Sequence, residues 1–305
     1  MKDNKFGRYI FANPAACGGI TKNKAKLLNE IALETNAELL GLNTKSAAEF
    51  DELIEKTVND GDTVIFAGGD GTFHQGLNIV YTKKVTVGYI PFGTGNAAAY
   101  ALSITKPGPL AALSPPSGKN LKAVLKKNDV RSMDLVLVTA DCLPKETAGL
   151  FSSTGWCAQM AGSRGGKGLA GYMIPAVKSL TSSYYEQDTK IYADNKLLWN
   201  GPNTLAIVTK SKFYGAGLMV APAAVIDDEH LDLVVYNLSR TGVMTLLTTS
   251  FLGKDPSPAL SVKAKEIRVE SNSGKLPVQI DGEYYGESEK VSYRIIEKAI
   301  KVIHG

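Results

Sequence analysis

The chain is predicted to fold as an α/β unit on a parallel sheet followed by a mainly antiparallel β unit, and three observations lead there. Short apolar runs alternate with amphipathic stretches through the first third, the βαβα order that parallel sheets require. Three of these runs end in turns carrying Asn-Pro or clustered glycines, each followed by a helical pattern. Past a boundary within 128–134, period-two runs replace most of the helical spacing.

The elements follow in order. Residues 8–13 (RYIFAN) form a strand, and 24–35 a helix with Leu27, Leu28, Ile31 and Ala32 on one face. Residues 39–42 are a short strand. Ser46 and Glu49 have capping-box spacing and open a helix through 58. Residues 63–67 (TVIFA) are a buried-type strand, 73–81 a helix, 85–90 a strand, and a short helix of small residues follows Asn96. Residues 107–119, rich in Pro, Ser and Gly, make a surface loop. Strands are expected at 130–139, 204–209, 231–236, 265–270, 277–280 and 291–296. A hairpin is expected over 190–199 around Asp194-Asn195, with helices at 168–180 and 243–252.

Composition narrows the class. At 305 residues, 44% hydrophobic and 21% charged, the chain has material for two globular domains. Cys17, Cys142 and Cys157 are odd in number, widely spaced and without CxxC, which argues against a disulfide framework or zinc site and for a reducing, cytoplasmic setting. No apolar run nears the roughly 20 residues that cross a bilayer, so any membrane contact is expected from the water side. The net charge is +4, unevenly spread: residues 71–128 hold seven lysines and no acid, a field that favours phosphates or anionic headgroups unless the lysines are simply a solvated face.

Gly68-Gly69-Asp70-Gly71-Thr72 lies between a buried strand and a helix. Glycines there let backbone approach a phosphate, and free N–H groups at a helix start add partial positive charge. Thr72 offers a hydroxyl, and Asp70 can join a metal–water cluster or orient a nucleophile. Gly93-Thr94-Gly95-Asn96 makes a second such turn, and Asn13-Pro14 with Gly18-Gly19 another. The Gly93–Gly95–Ala98 spacing matches a dinucleotide fingerprint, yet no acid follows about 20 residues on, so hydride chemistry is disfavoured. There is no GxxxxGK[ST] and no GxSxG. Asp227, Asp228, Glu229 and Asp232 suit either Mg²⁺ or a solvated acidic turn. Asp281-Gly282-Glu283 suits a hairpin turn. His74, His230 and His304 lack metal-ligand spacing.

In this order, Asn13-Pro14, Gly68-Gly69-Asp70-Gly71-Thr72, Pro91-Phe92-Gly93-Thr94-Gly95-Asn96 and Asp281-Gly282-Glu283 resemble the diacylglycerol kinase catalytic superfamily, which includes sphingosine, ceramide and bacterial lipid kinases. Phe213-Tyr214-Gly215-Ala216-Gly217, Ala221-Pro222 with Ala224, and Leu231-Asp232 resemble its second domain. The resemblance implies an NAD kinase/diacylglycerol kinase-like nucleotide-binding domain at 1–131, to which 287–305 return, and a β-rich lipid-substrate domain at 132–286, with the active site between them. It implies an ATP- and Mg²⁺-dependent lipid kinase acting on a primary hydroxyl, as of diacylglycerol or a sphingoid base. Glu283 would be the general base, Asp70 would sit in the Mg²⁺–water network, and Asp134 would be a further active-site carboxylate. ATP would contact Asn13, Pro14, Thr44, Gly68, Gly69, Asp70, Gly71, Thr72, Gly93, Thr94, Asn96 and Asp281. A structural Mg²⁺ would be held by the Val225 carbonyl, Asp228 and the His230 carbonyl, and Arg164 and Lys167 would reach phosphates.

The expected partners are a lipid and an anionic membrane surface touched peripherally, with no nucleic acid; an exposed strand edge leaves a homodimer open. Gln75 stands where the family usually has Glu, Ala16-Cys17 where it has Ser-Gly, Ala97 where diacylglycerol kinases often have Asp, and Glu229 where Gly is common. The acids that relatives carry are absent from 155–159. An NAD kinase-like enzyme acting on a soluble nucleotide, and a non-catalytic lipid or nucleotide binder, are the alternative readings.

Overall fold

The computed structural model describes residues 7–15, 19–106, 118–163, 186–252, 254 and 257–305. The helix expected at 168–180, the loop at 107–117, Ala16, Cys17, Gly18, Arg164 and Lys167 lie outside them. In order come β1 (Arg8–Ala12), α1 (Lys22–Thr35), β2 (Glu38–Leu40), α2 (Ala47–Thr57), β3 (Thr63–Gly68), α3 (Asp70–Val80), β4 (Thr86–Pro91) and α4 (Ala97–Ala101). The strands pair in parallel in the order β2-β1-β3-β4. β3 is buried from Val64 to Gly68 because helices cover both faces, which is why it reads as an unbroken apolar run. Phe66 packs edge-on against Phe73 of α3, and Phe73 lies 5.0 Å from Tyr89 of β4, tying the helix to two strands.

Local chemistry sets the helix ends. Thr21 caps α1, and Asn36, left-handed at φ 51°, closes it. Ser46 Oγ accepts from Glu49 N at 3.1 Å, but Glu49 reaches one residue past the cap, to Lys45 N at 2.8 Å. α3 starts at Asp70, three residues before the expected 73, so Gly71 and Thr72 belong to its first turn rather than to a loop. Phe73 N donates to Gly69 O at 3.1 Å, and Asp70 complements the positive helix end.

α5 (Gly118–Lys127) was not anticipated, because the Pro-rich lead-in hides its periodicity; Leu121 and Leu125 form its buried stripe. Lys122 pairs with Glu30 and Glu34 of α1 at 2.5 and 3.1 Å, and Lys126 with Glu34 at 2.6 Å. Acids from outside the acid-free stretch therefore offset part of its expected field.

The second half comprises β5 (Val130–Ala140), β6 (Thr147–Gly149), β7 (Phe151–Gly155), α6 (Trp156–Gly162), β8 (Gln187–Ala193), β9 (Lys196–Asn203), β10 (Leu205–Thr209), β11 (Leu231–Tyr236), α7 (Arg240–Phe251), β12 (Leu260–Ala264), β13 (Glu266–Ser271), β14 (Leu276–Ile280), β15 (Glu283–Ser288) and β16 (Lys290–Ile303). The sheet of β2-β1-β3-β4 continues through β16, β13, β8 and β9, with β5 paired to β16 and β6 to β5. The second sheet runs β12-β11-β10-β7-β14-β15, its neighbours antiparallel.

β5 and β16 join the two halves. In β5, Met133, Leu135 and Leu137 enter the first core while Val136 and Val138 enter the sandwich between the sheets, so both faces are buried. β16 pairs with β13 over 290–294 and in parallel with β4 at Lys301 and Val302, its register shifting between Ile296 and Ile300. In β10, Ala206 and Val208 face the sandwich and Leu205 and Ile207 face α6 and α7. β7 was not foreseen because its serines look exposed. They are buried and paired instead: Ser152 Oγ donates to Gln279 O at 2.7 Å, and Ser153 Oγ accepts from Gln279 Nε2 at 2.8 Å. Among the described residues no helix is long and apolar enough to cross a membrane.

Candidate active site

The carboxyl ends of β1, β3 and β4 bring three turns together, as strand order in a parallel sheet requires. Asn13 joins the first two: its Oδ1 accepts from Ala15 N at 2.9 Å and its Nδ2 donates to Thr72 Oγ1 at 3.3 Å. Pro14 follows it, half-buried. The second and third turns touch directly. Phe92 N donates to Gly68 O at 2.7 Å, and a Cβ on Gly93 would lie 3.0 Å from Gly69 Cα. Gly68 has no room for a side chain either, because Thr72 Oγ1 would be 2.5 Å from its Cβ.

Asn96 shapes the third turn from within. At φ 48° its amide accepts from Gly93 N at 2.9 Å and donates to Gly93 O at 2.7 Å, with Thr94 half-buried between them. Thr44 spends its N–H and hydroxyl on Gly41 O, at 3.1 and 2.8 Å, in the turn after edge strand β2.

The second sheet supplies the opposite wall. Asp281 and Gly282, at φ 50° and 85°, form the two-residue loop joining β14 to β15, the type I′ geometry that twisted hairpins favour. The Asp281 carboxylate is committed on both oxygens: Oδ1 accepts from Leu150 N at 2.9 Å and Phe151 N at 3.0 Å, and Oδ2 lies 2.9 Å from His74 Nδ1. His74 Nε2 lies 2.7 Å from Tyr285 Oη. One turn further along α3, Asn78 pairs in both directions with the Ala148 backbone of β6, at 2.8 and 2.9 Å.

This pinning sets Glu283 over the start of α3, with its Oε1 3.1 Å from where a Cβ on Gly71 would stand. Asn13, Gly71, Thr72, His74, Gln75 and Glu283 line a cleft of about 390 Å³. The loop at 213–217 closes on the third turn, where Ala216 N donates to Gly95 O at 2.6 Å.

Asp70 forms part of the same corner. Its Oδ2 would lie 2.8 Å from a Cβ on Gly95, and its Oδ1 accepts from Ala98 N at 3.3 Å. Burial pushes its carboxyl up to about 7; the Asp281 charge adds to this and the N–H groups of residues 96–98 oppose it. Its carboxylate is a hard oxygen donor of the type that Mg²⁺ takes. Gln75 donates to Asp51 Oδ1 at 2.6 Å, so a carboxylate stands beside the position where the family usually has one.

Asp134 does not line this cleft. It is fully buried at the junction of β5 and β16, accepting from Glu229 N and Lys298 N, each at 2.8 Å. Asp228 and His230 O lie in the same cluster, and both accept from Lys210 Nζ, at 2.6 and 2.5 Å. Val225 is exposed nearby in sequence. Asp228 Oδ2 takes Lys263 Nζ at 2.6 Å. Partial burial works to raise the Asp228 pKa, but the two ammonium groups hold it down to about 2. An oxygen set already satisfied by lysines does not suit Mg²⁺ as well, and among the described residues no three His, Cys, Asp or Glu side chains converge as a metal site.

Asp51 and Lys210 were not named from sequence, and His74 was read there only as lacking metal-ligand spacing. Asp70, His74 and Asn78 at i, i+4 and i+8 mark one polar face of α3, a spacing that points to His74. Lys210 carries no local signal, since its partners come from residues 134, 228 and 230.

Residues 8–138 match the diacylglycerol kinase catalytic domain family, and 158–304 match the YegS C-terminal NAD kinase beta sandwich-like domain. A diacylglycerol kinase of Mycobacterium tuberculosis is 25% identical over 231 residues, covering 73% of this chain and 71% of that one. A solved diacylglycerol kinase structure from Bacillus anthracis superposes with TM-score 0.70 at 18% identity, over 98% of this chain and 97% of that one. A further Bacillus anthracis chain superposes with TM-score 0.74 at 18% identity, over 100% and 98%. At such identities the likeness to the solved structures is one of fold.

Proposed function

Because the chain belongs to the diacylglycerol kinase-like superfamily, we propose that it is a lipid kinase that transfers the γ-phosphoryl group of ATP to a primary hydroxyl of a lipid. The observation that carries this reading is Glu283 standing over the first turn of α3, in one cleft with Asn13 and with Gly71 and Thr72 of the glycine-rich turn.

Phosphoryl transfer asks a protein for positioning and charge stabilisation rather than covalent chemistry. The N–H groups at the start of α3 and the glycine turns offer donors and partial positive charge to phosphate oxygens. Gly68, Gly93 and Gly95 let the turns pack against Thr72, Gly69 and Asp70, Gly71 leaves room beneath Glu283, and Thr72 adds a hydroxyl. Asn13 and Asn96 hold the turns in shape, with Pro14, Thr94 and Gly69 beside them and Thr44 at the neighbouring edge. Glu283 accepts the proton of the acceptor hydroxyl as oxygen attacks phosphorus. Asp281 serves by fixing the hairpin that presents Glu283. Asp70 would hold magnesium, which when bound neutralises charge on the phosphates. Asp134 acts from the junction that sets the relation of the two sheets. The acceptor reaches the cleft from a bilayer that the protein touches from the water side.

Incubating the protein with labelled ATP, Mg²⁺ and a panel of diacylglycerol, sphingoid base, ceramide and soluble nucleotides tests this directly. Label should enter a lipid and fall by about 10²–10⁴-fold in Glu283→Gln while ATP still binds. Full turnover in that variant would remove the proton-acceptor role. Label found only in a soluble nucleotide would replace the lipid by an NAD kinase-like acceptor.

A further inference from the structure

The oxygens expected to hold a structural Mg²⁺ already surround a cation that belongs to the chain. Lys210 follows β10, and its side chain is fully buried. Its ammonium meets three acceptors: Asp228 Oδ1 at 2.6 Å, His230 O at 2.5 Å and Asp134 Oδ2 at 3.2 Å. An ammonium has three N–H donors and no acceptor, so the count matches with nothing left over.

The second oxygen of Asp228 is held by Lys263, which also lies 2.9 Å from Asp232 Oδ1. Magnesium needs oxygens at about 2.0–2.1 Å in near-octahedral order. An ion bound to Asp228 Oδ1 and His230 O would press against a buried ammonium where water screens the repulsion poorly. Both Asp228 oxygens are engaged, so such an ion would first have to displace a lysine.

The backbone around the cluster fits a permanent pin. Glu229 and Lys298 both adopt left-handed conformations, at φ 60° and 47°, where side-chain-bearing residues are uncommon. Their N–H groups are taken by the two oxygens of Asp134, and their side chains pair with each other at 2.6 Å. Asp134 N donates to Ile226 O at 2.8 Å. One cluster thus joins β5, the bend of β16, the end of β10 and the loop before β11.

We propose that the Lys210 ammonium is a tethered replacement for the structural magnesium ion, and that this junction needs no divalent metal. The claim is independent of the kinase reading, since it concerns folding in the absence of nucleotide.

Thermal unfolding of the nucleotide-free protein, with a chelator or with excess Mg²⁺, tests it. The melting temperature should agree between the two buffers within about 1 °C, whereas a resident ion near saturation would separate them by roughly 5 °C. A separation of that size, abolished by Asp228→Asn, overturns the proposal. Lys210→Gln should melt roughly 5–10 °C lower in chelator, and Mg²⁺ should restore part of the loss. A variant as stable as the wild type in chelator also overturns it. Should Lys210→Gln not fold, Mn²⁺ titration of the wild type followed by electron paramagnetic resonance decides. No Mn²⁺ site that depends on Asp228 is expected, and finding one overturns the proposal.

Discussion

His74 and Asp281 lie 207 positions apart in the chain, yet share a buried hydrogen bond of 2.9 Å across the cleft. The bond fastens the helix after the glycine-rich turn to the hairpin that carries Glu283. His74→Ala leaves one oxygen of Asp281 and the Tyr285 hydroxyl without that partner. The expected cost is about 1–3 kcal/mol in urea unfolding, with kcat reduced and the KM for ATP held near the wild-type value. A stability loss with unchanged kcat would show that the bond holds the fold without positioning Glu283.

Gly71→Ala should separate stability from activity. Gly71 is helical, so the added methyl is tolerated by the backbone and can stabilise by up to about 1 kcal/mol. The same methyl would sit 3.1 Å from Glu283 Oε1 and displace the carboxylate by a few tenths of an ångström. Turnover should fall several-fold while the melting temperature holds or rises. A variant with both properties unchanged would mean that Glu283 adopts another rotamer in turnover.

Gln75→Glu, which restores the residue the family usually has, should destabilise this chain. Gln75 Nε2 now donates to Asp51 Oδ1 at 2.6 Å, and a glutamate would oppose a second carboxylate there. Burial already raises the Asp51 pKa, and a like charge raises it further. A carboxylate whose folded-state pKa exceeds its unfolded value holds more protons when folded. Its contribution is therefore best at low pH and declines as pH rises through the folded pKa. The melting-temperature deficit of the variant should be larger at pH 8 than at pH 5; a deficit equal at both would rule out carboxylate repulsion as its cause.

Cys157 should resist thiol reagents. Burial pushes its thiol up to about 12. The thiolate, which is the reacting form, is therefore scarce at pH 8. Labelling followed peptide by peptide in the mass spectrometer should be slow at Cys157 and accelerate about tenfold per pH unit from 7 to 9. A plateau near pH 8.5 would mean an ordinary, accessible thiol.

The site was legible wherever its parts are local. The three turns follow strands whose alternation with helices is written in residues 8–101, and neighbouring strands of a parallel sheet place their turns side by side. Glu283 is one residue past an Asp-Gly loop, a hairpin that composition reveals. The commitments of these side chains were not legible. Asp281 and Asn96 were expected at the nucleotide; the folded chain adds that Asp281 binds the backbone at 150–151 and His74, and that Asn96 shapes the turn at Gly93. The acid-free stretch offered either a field for anions or a solvated lysine face, and Lys122 and Lys126 instead meet glutamates of α1.

Periodicity and turn chemistry in the amino-acid order determined the two architectures, the helix caps and the glycine turns, because each depends on residues within a few positions of one another. Only the folded chain decided which distant groups meet: His74 with Asp281, Gln75 with Asp51, and Lys210 with Asp134, Asp228 and His230 O. The physical reason is that a buried charge or polar group must be satisfied by whatever the packing places beside it, and packing depends on the whole chain at once.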